Sequence, residues 1–425
     1  MLDWSLRSVL QAKPGEERAV GFAFLYFFML MCAYYLMRPL RDALAPNTGL
    51  EHLAKLFTAT FVVMVLLTPL FGSLVSRVRK RLLLPVTYLF FAANLLVFYL
   101  WFKIDPESRW LAVAFFVWLS VFNMFVVSVF WSFMADVFRG EEAKRLFGPI
   151  TAGGGTGAII GPLLTQWLAP KIGVDAVVGL SLLLLLGTLP CMRGLSRWAE
   201  TRHGHFILPI SSPEAKVGGG ALDGVRLVAR SPYLLGIAAI IAFGSIAGTF
   251  MYFELQHYVA AAYPDFGART AYYARLDFGV NLLAWIFQGF VVSHLIRVLG
   301  LSGALMAMPL IAFATFAWLA ASPILLLLST SQVLRRAGEF GLGKPCREVL
   351  FTVVDPGTKY KAKNFIDTTL QRAGDLTGAW THVWFQFLGV TLVGFALICA
   401  AGMLVIAWIA GWLGRDFRRR EQGTS

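Results

Sequence analysis

A chain of 425 residues that is 58% hydrophobic, only 14% charged and +0.68 in mean hydropathy carries more apolar surface than one water-soluble core can hide. These values exclude a single soluble globular domain and make the bilayer the solvent. The net charge of +13 acquires meaning only from where the cations lie relative to the apolar segments.

A helix needs about 20 apolar residues to cross a bilayer. Twelve segments meet that need, near 19–38, 54–76, 82–102, 110–134, 146–168, 174–193, 233–256, 273–296, 302–320, 323–342, 365–388 and 390–413. The first follows a polar stretch and lacks a small-residue cleavage site, so it reads as a retained helix rather than a signal peptide. An even number of spans puts both termini on one side. That side holds 28 of the 37 lysines and arginines against 8 on the other, which predicts cytoplasmic termini and assigns the basic charge to topology, not to a nucleic-acid surface.

Between spans six and seven, residues 195–232 read as a linker with Pro209, Pro213 and Gly218–Gly220, ending in a short amphipathic piece at 221–230. It divides the chain into a six-helix half at 1–194 and another at 233–425. A duplication supports this division. Asp136 and the pair Ala143–Lys144 recur 219 residues later as Asp355 and Ala362–Lys363, and GGGTGA at 153–158 recurs 221 later as GDLTGA at 374–379. GSLVS at 72–76 and GFVVS at 289–293 add an echo at offset 217. The predicted fold is an all-α membrane protein of twelve transmembrane helices in two six-helix halves, the plan of the major facilitator superfamily.

Several blocks carry a more specific resemblance: YYLMRPLRDAL at 34–44, the stretch 131–162, LDFGVNLL at 276–283 with QGF after it, and KPCREVLFTVV followed by KYKAKNFIDTTLQRAGD within 344–375. Together they resemble the ATP/ADP translocase family of bacteria and plastids, a branch of that superfamily. The resemblance implies nucleotide exchange by alternating access and a place in a bacterial cytoplasmic membrane. One departure stands out. Exchangers of the family tend to carry Arg-x-x-Lys-Asp at the end of the first span, where this chain has Arg38, Pro39, Leu40, Arg41 and Asp42, so a planar fork replaces a point charge.

Ionisable side chains at membrane depth are costly, and they usually face a cavity and find partners. The cationic candidates are Arg38, Arg41, Arg275, Arg336 and Arg372; guanidinium forks match carboxylate or phosphate oxygens in pairs. Arg38, Arg41 and Arg372 head this list, and Arg336, near the inner end of span ten, suits a gate. Tyr35 belongs to an aromatic set with Tyr34, Tyr252, Phe253, Tyr272 and Tyr273 that reads as an interfacial belt or as a stacking surface for a purine. Asp277 and Asn281 share one face of span eight, and Arg372 can pair with Asp375. The acids Asp42, Glu254, Asp277, Asp367 and Asp375 are neutralising partners or carriers of a coupling proton, for which Glu254 or Asp277 is the first choice.

The loop 72–81 resembles the superfamily's basic loop, with Ser76 in place of its usual Asp. Asp136 is therefore assigned as the anion for Arg77 in a cytoplasmic gate, with Asp355 and Lys363 as the echoed pair. GGGTG lacks the preceding strand and the Gly-Lys-Ser/Thr ending of a phosphate loop. Gly153, Gly157, Gly161 and Pro162 read instead as a helix-packing seam.

Cys32, Cys191, Cys346 and Cys399 show no metal-ligand spacing, and no hydrolase motif appears. The prediction is a monomeric secondary transporter without a cofactor or metal, whose partners are the bilayer and a small organic or phosphorylated anion, a nucleotide first. Alternatives are a proton-coupled transporter of another amphiphilic metabolite, such as a siderophore or peptide fragment, and a non-transporting sensor.

Overall fold

The computed structural model describes residues 13–77, 80–138, 140–203 and 223–423, without the side chains at 50, 68–77, 80–83, 203, 223, 356, 360 and 364. Among these residues the secondary structure is helical throughout. The first half consists of α1 (Glu17–Leu44), α2 (Leu53–Arg77), α3 (Lys80–Ile104), α4 (Arg109–Val137), α5 (Glu141–Ile172) and α6 (Val174–His203). The amphipathic piece forms α7 (Asp223–Arg230), and the second half opens with α8 (Pro232–Ala262).

The later spans are composite rods. α9 (Phe266–Ile286) passes through a π-helical segment, Phe287–Val291, into α10 (Val292–Ala321). Gly300, at φ +68°, breaks α10 into two helices. Only glycine adopts that backbone freely, so one residue serves as the connection between spans eight and nine. α11 (Leu325–Gly338), the π segment Glu339–Gly343 and α12 (Lys344–Leu350) make span ten. α13 (Pro356–Asn364), the π segment Phe365–Leu370 and α14 (Gln371–Phe387) make span eleven, and α15 (Leu392–Glu421) is the last.

The rods overrun the predicted spans in places that matter. α1 continues from the expected end at 38 to Leu44, so Arg38 and Arg41 lie inside a helix rather than beyond it. Span ten continues to Leu350, which corrects the placement of Arg336: with Arg335 it lies near the middle of a rod running from Leu325 to Leu350. The charges of Glu339, Lys344 and Arg347 lower the apolarity of the following turns and hide this continuation from a hydropathy reading. Removing Arg335 and Arg336 from one side of the loop tally, and Arg38 and Arg41 from the other, leaves 26 against 6.

Contacts divide the chain into two compact units: Met1–Thr48, Val62–Pro213 and Tyr263–Phe278 in one, Gly49–Phe61, Glu214–Ala262 and Gly279–Ser425 in the other. The expected linker at 195–232 falls largely on 204–222, outside the described residues. Within the first unit α5 lies flush on α1. A Cβ on Gly153 or Gly157 would strike the Phe24 or Phe28 carbonyl oxygen, and one on Gly161 would come within 2.8 Å of the Cys32 oxygen. Thr165 on α5 and Ser181 on α6 donate to the Leu36 and Ala33 carbonyls at 3.0 and 2.8 Å. Beside this seam Tyr26, Phe27, Tyr88 and Phe130 pack edge-on or stacked.

The second unit repeats the arrangement. Gly374 and Gly378 of α14 meet Ala242, Ser245, Ile246 and Thr249 of α8, so the echo of GGGTGA is also an echo of the helix contact. The core of this unit joins Tyr233, Ile237 and Ile241 to Leu305, Phe351, Ile366 and Leu413. On the outside, large apolar residues such as Leu66, Phe90, Val97, Leu183, Leu397, Val405 and Trp408 are exposed. Backbone groups are satisfied within helices while these side chains face outward, the arrangement a hydrocarbon solvent demands. The chain is a multi-pass membrane protein.

Candidate functional site

Two charged clusters lie along the long helices, one in each unit. In the first, Arg38 on α1 reaches Asp277 on α9 with Nη1 3.3 Å from Oδ1, and its guanidinium lies 5.8 Å from the Tyr35 ring. Asp277 is 2% exposed. One turn on, Arg41 holds its neighbour Asp42 through Nε and Nη2 at 3.0 and 2.7 Å and rests over the Phe116 ring. Arg269, in the first turn of α9, donates to the Ala43 carbonyl at 2.8 Å and to Asn47 Oδ1 at 2.9 Å. Three guanidiniums thus face two carboxylates, and Arg38 and Arg41 each have an acid at contact distance.

The structure therefore gathers Tyr35, Arg38, Arg41, Asp42 and Asp277 into one group. Asn281, buried and one turn beyond Asp277, continues its face. Arg275, two residues from Asp277, points away and is exposed, as helical spacing requires. The aromatic set is dispersed. Tyr34 packs on Tyr35, Tyr252 lies near Phe57, and Tyr272 packs on Tyr263.

In the second unit, Arg335 and Arg336 lie in the last turn of α11, ahead of one π segment, and Arg372 lies in the first turn of α14, after another. Arg372 Nη1 is 3.7 Å from Asp375 Oδ2, and the Asp375 carboxylate also meets the hydroxyls of Ser245 and Thr249 on α8. Arg335 directs Nε and Nη2 to Gln332 Oε1, both at 3.2 Å, and lies in the field of Arg336 and Asp375. Gly248 makes room for it: a Cβ there would stand 2.7 Å from Arg335 Nη1. The nearby Glu339 is taken by Arg347. Two guanidiniums, Arg372 and Arg335, therefore act on the Asp375 carboxylate, with Arg336 beside Arg335 and a face of Ser245, Gly248 and Thr249 along α8.

Arg335 stood inside the predicted span 323–342 but was not singled out beside its neighbour Arg336. Hydropathy concealed Arg269 by treating the first turn of α9 as loop. His382, on α14 at hydrogen-bond distance from Glu254, also went unremarked; its signal was a lone imidazole inside an apolar window, seven residues from Asp375.

The expected gate residues are spread over several roles. Asp355 caps α13 by accepting from the Thr358 amide at 3.0 Å, Lys363 pairs with Glu348, and Asp136 is half-buried at the end of α4. The Arg77 side chain lies outside the described residues. On the terminus-bearing end of the first unit, Glu16 is fully buried between Arg145 and Arg202 at 2.8 and 3.2 Å. Lys144 instead pairs with Glu141 at 2.8 Å.

A family model described as Major Facilitator Superfamily matches residues 19–343. Among curated proteins, "ADP,ATP carrier protein 2, chloroplastic" of Arabidopsis thaliana is 23% identical over 344 residues, 72% of this chain and 53% of that protein. "ADP,ATP carrier protein 1" of Chlamydia muridarum is 22% identical over 426 residues, covering 84% of this chain and 79% of its own. The chain thus spans about half the length of the chloroplastic relative. Among solved structures, the nucleoside transporter NupG superposes with a TM-score of 0.64 at 12% identity, covering 95% of this chain and 99% of the other. A POT family transporter in complex with 5-aminolevulinic acid gives 0.61 at 11% identity, covering 96% and 98%.

Proposed function

Because the chain belongs to the major facilitator superfamily, we propose that it is a secondary transporter that carries an organic or phosphorylated anion, a nucleotide first, across the cytoplasmic membrane by alternating access. One observation carries the anionic reading: Arg335 and Arg372 converge on the Asp375 carboxylate near the middles of their rods, with Arg336 beside Arg335. Guanidiniums inside an apolar rod are expensive unless anions complete them. Guanidinium forks accept phosphate or carboxylate oxygens in pairs, which gives the site its selectivity. The distant ADP,ATP carriers make adenine nucleotides the first substrates to try.

In this reading Arg38–Asp277 and Arg41–Asp42 are pairs that open or exchange partners as the conformation changes. Asp136, Asp355 and Lys363 serve the terminus-bearing side, which the lysine and arginine bias assigns to the cytoplasm. A monomer suffices.

The test is uptake and exchange in proteoliposomes containing the full chain, with labelled ADP, ATP, nucleotide sugars and dicarboxylates presented outside. Exchange of an anion that R372A abolishes is the expected result. Absence of movement for every anion, alongside movement of a neutral nucleoside, overturns the anionic reading.

A further inference from the structure

The second unit buries a histidine that the anion cradle does not use. His382 is 2% exposed, and its Nε2 lies 2.8 Å from Oε1 of Glu254 on α8, whose side chain is 14% exposed. Aromatic rings enclose the imidazole: Phe250 and Phe253 of α8 at 5.4 and 5.1 Å, and Phe395 of α15 at 6.4 Å between ring centroids. Phe250 and Phe395 stack on each other at 3.5 Å and close that side. Glu254 thus offers the wetter approach to a sealed imidazole.

Among the described residues the charged and titratable surroundings are few. His257 of α8 lies with its ring 6.3 Å from that of His382 and its Nδ1 2.9 Å from the Phe253 carbonyl, to which it donates. Cys399, buried, is one turn beyond Phe395 on α15. From the first turns of α2, Phe57 meets Phe253, while Lys55 is exposed. On α14 itself Asp375 lies two turns back, with Arg372 beyond it.

We propose that His382 and Glu254 form a proton-binding site that couples proton movement to transport of the anion. The inference rests on the transporter reading above and adds its coupling ion. With one proton between Nε2 and Oε1, the pair carries a net charge of −1. A second proton, taken from water onto the Nδ1 lone pair, gives an imidazolium–carboxylate pair of zero net charge; its return to water restores the first state. No other bond is made or broken. In an enclosure of phenyl rings the two states differ sharply in their electrostatic effect, because little water screens them.

Seven residues are nearly two helical turns, so His382 and Asp375 share a face of α14 about 10 Å apart. A −1 pair at that distance opposes an anion in the cradle, and a neutral pair does not. By linkage, anion binding favours protonation and protonation favours anion binding, by roughly tenfold for unit charges at that separation. The coupling is proton–anion symport.

The experiment uses the full chain in proteoliposomes with pyranine inside and ADP or ATP as probe. Wild-type uptake should acidify the lumen and speed up about tenfold when the outside is made acidic. E254Q, H382N and H382Q should lose that response while still exchanging internal for external ADP at equal pH, since neither residue belongs to the cradle. Variants that retain the wild-type pH response overturn the proposal. A second measurement decides the matter without transport: histidine nitrogen NMR in nanodiscs, with the His382 signal identified by its loss in H382N. A signal that moves from the neutral to the imidazolium form between about pH 8 and pH 5, and moves differently in E254Q, supports the site; one fixed in the neutral form overturns it. Failure of wild type to move any nucleotide would count against the transport reading alone.

Discussion

Arg335 is held by two nitrogens on one amide oxygen, Gln332 Oε1, and lies where Gly248 offers no side chain. That geometry is specific to a guanidinium. Lysine would keep the charge but lose the fork. Replacing Arg335 by Lys should therefore weaken binding of a phosphorylated anion by about tenfold, and replacing it by Ala by 10- to 100-fold, from charge-assisted hydrogen bonds of about 1.5–3 kcal/mol. Equilibrium binding to purified protein checks this, and G248A, which crowds the guanidinium, should fall on the same side. Arg372 and Asp375 were legible in the sequence because three residues separate them inside an apolar window. Arg335, inside the predicted span 323–342 beside Arg336, was not singled out, because its contacts with Gln332 and the space at Gly248 are not visible in the sequence.

At the scale of the element, the two seams of small residues dictate how closely α5 meets α1 and α14 meets α8. Carbonyl oxygens of Phe24 and Phe28 occupy the space a side chain at Gly153 or Gly157 would need, so neither helix can yield without moving as a whole. Gly157→Val should cost more than the roughly 1–3 kcal/mol typical of overpacking, read as a lowered unfolding temperature in detergent. Gly148→Ala, at a position with open space around it, should be neutral. The spacing of Gly153, Gly157 and Gly161 announced this seam in the sequence, and the echo at 374–378 announced its copy. The helix caps were less visible. Asp355 looked like a gate because its echo partner Asp136 stands at a helix end, yet its carboxylate is occupied with the Thr358 amide. Asp355→Ala should loosen α13 by about 1 kcal/mol, seen as faster amide exchange over 356–364.

For the whole molecule, hydropathy counted the crossings because the solvent demands about 20 apolar residues from each. It misjudged their ends wherever a rod carries charge. The surplus of basic residues on the terminus-bearing side predicts a cytoplasmic location for it: a cysteine placed at Gln422 should react with membrane-impermeant maleimide only in inverted vesicles, and one placed at Glu107 only in intact cells. The echoes between the halves drift in offset from 217 to 219 to 221 along the chain. The π segments supply part of the cause. A turn closed from i to i+5 holds one residue more than an α-turn, so each is an insertion absorbed within a helix rather than in a loop. Glu339–Gly343 falls within the first step of the drift and Phe365–Leu370 within the second, and the corresponding first-half helices α4 and α5 run as α-helix throughout. One inserted residue rotates everything downstream by about 100° around the helix axis. An insertion absorbed within a helix thus changes which side chains the turns after it present, without lengthening any loop: Arg372 and Asp375 follow one such segment directly in the chain.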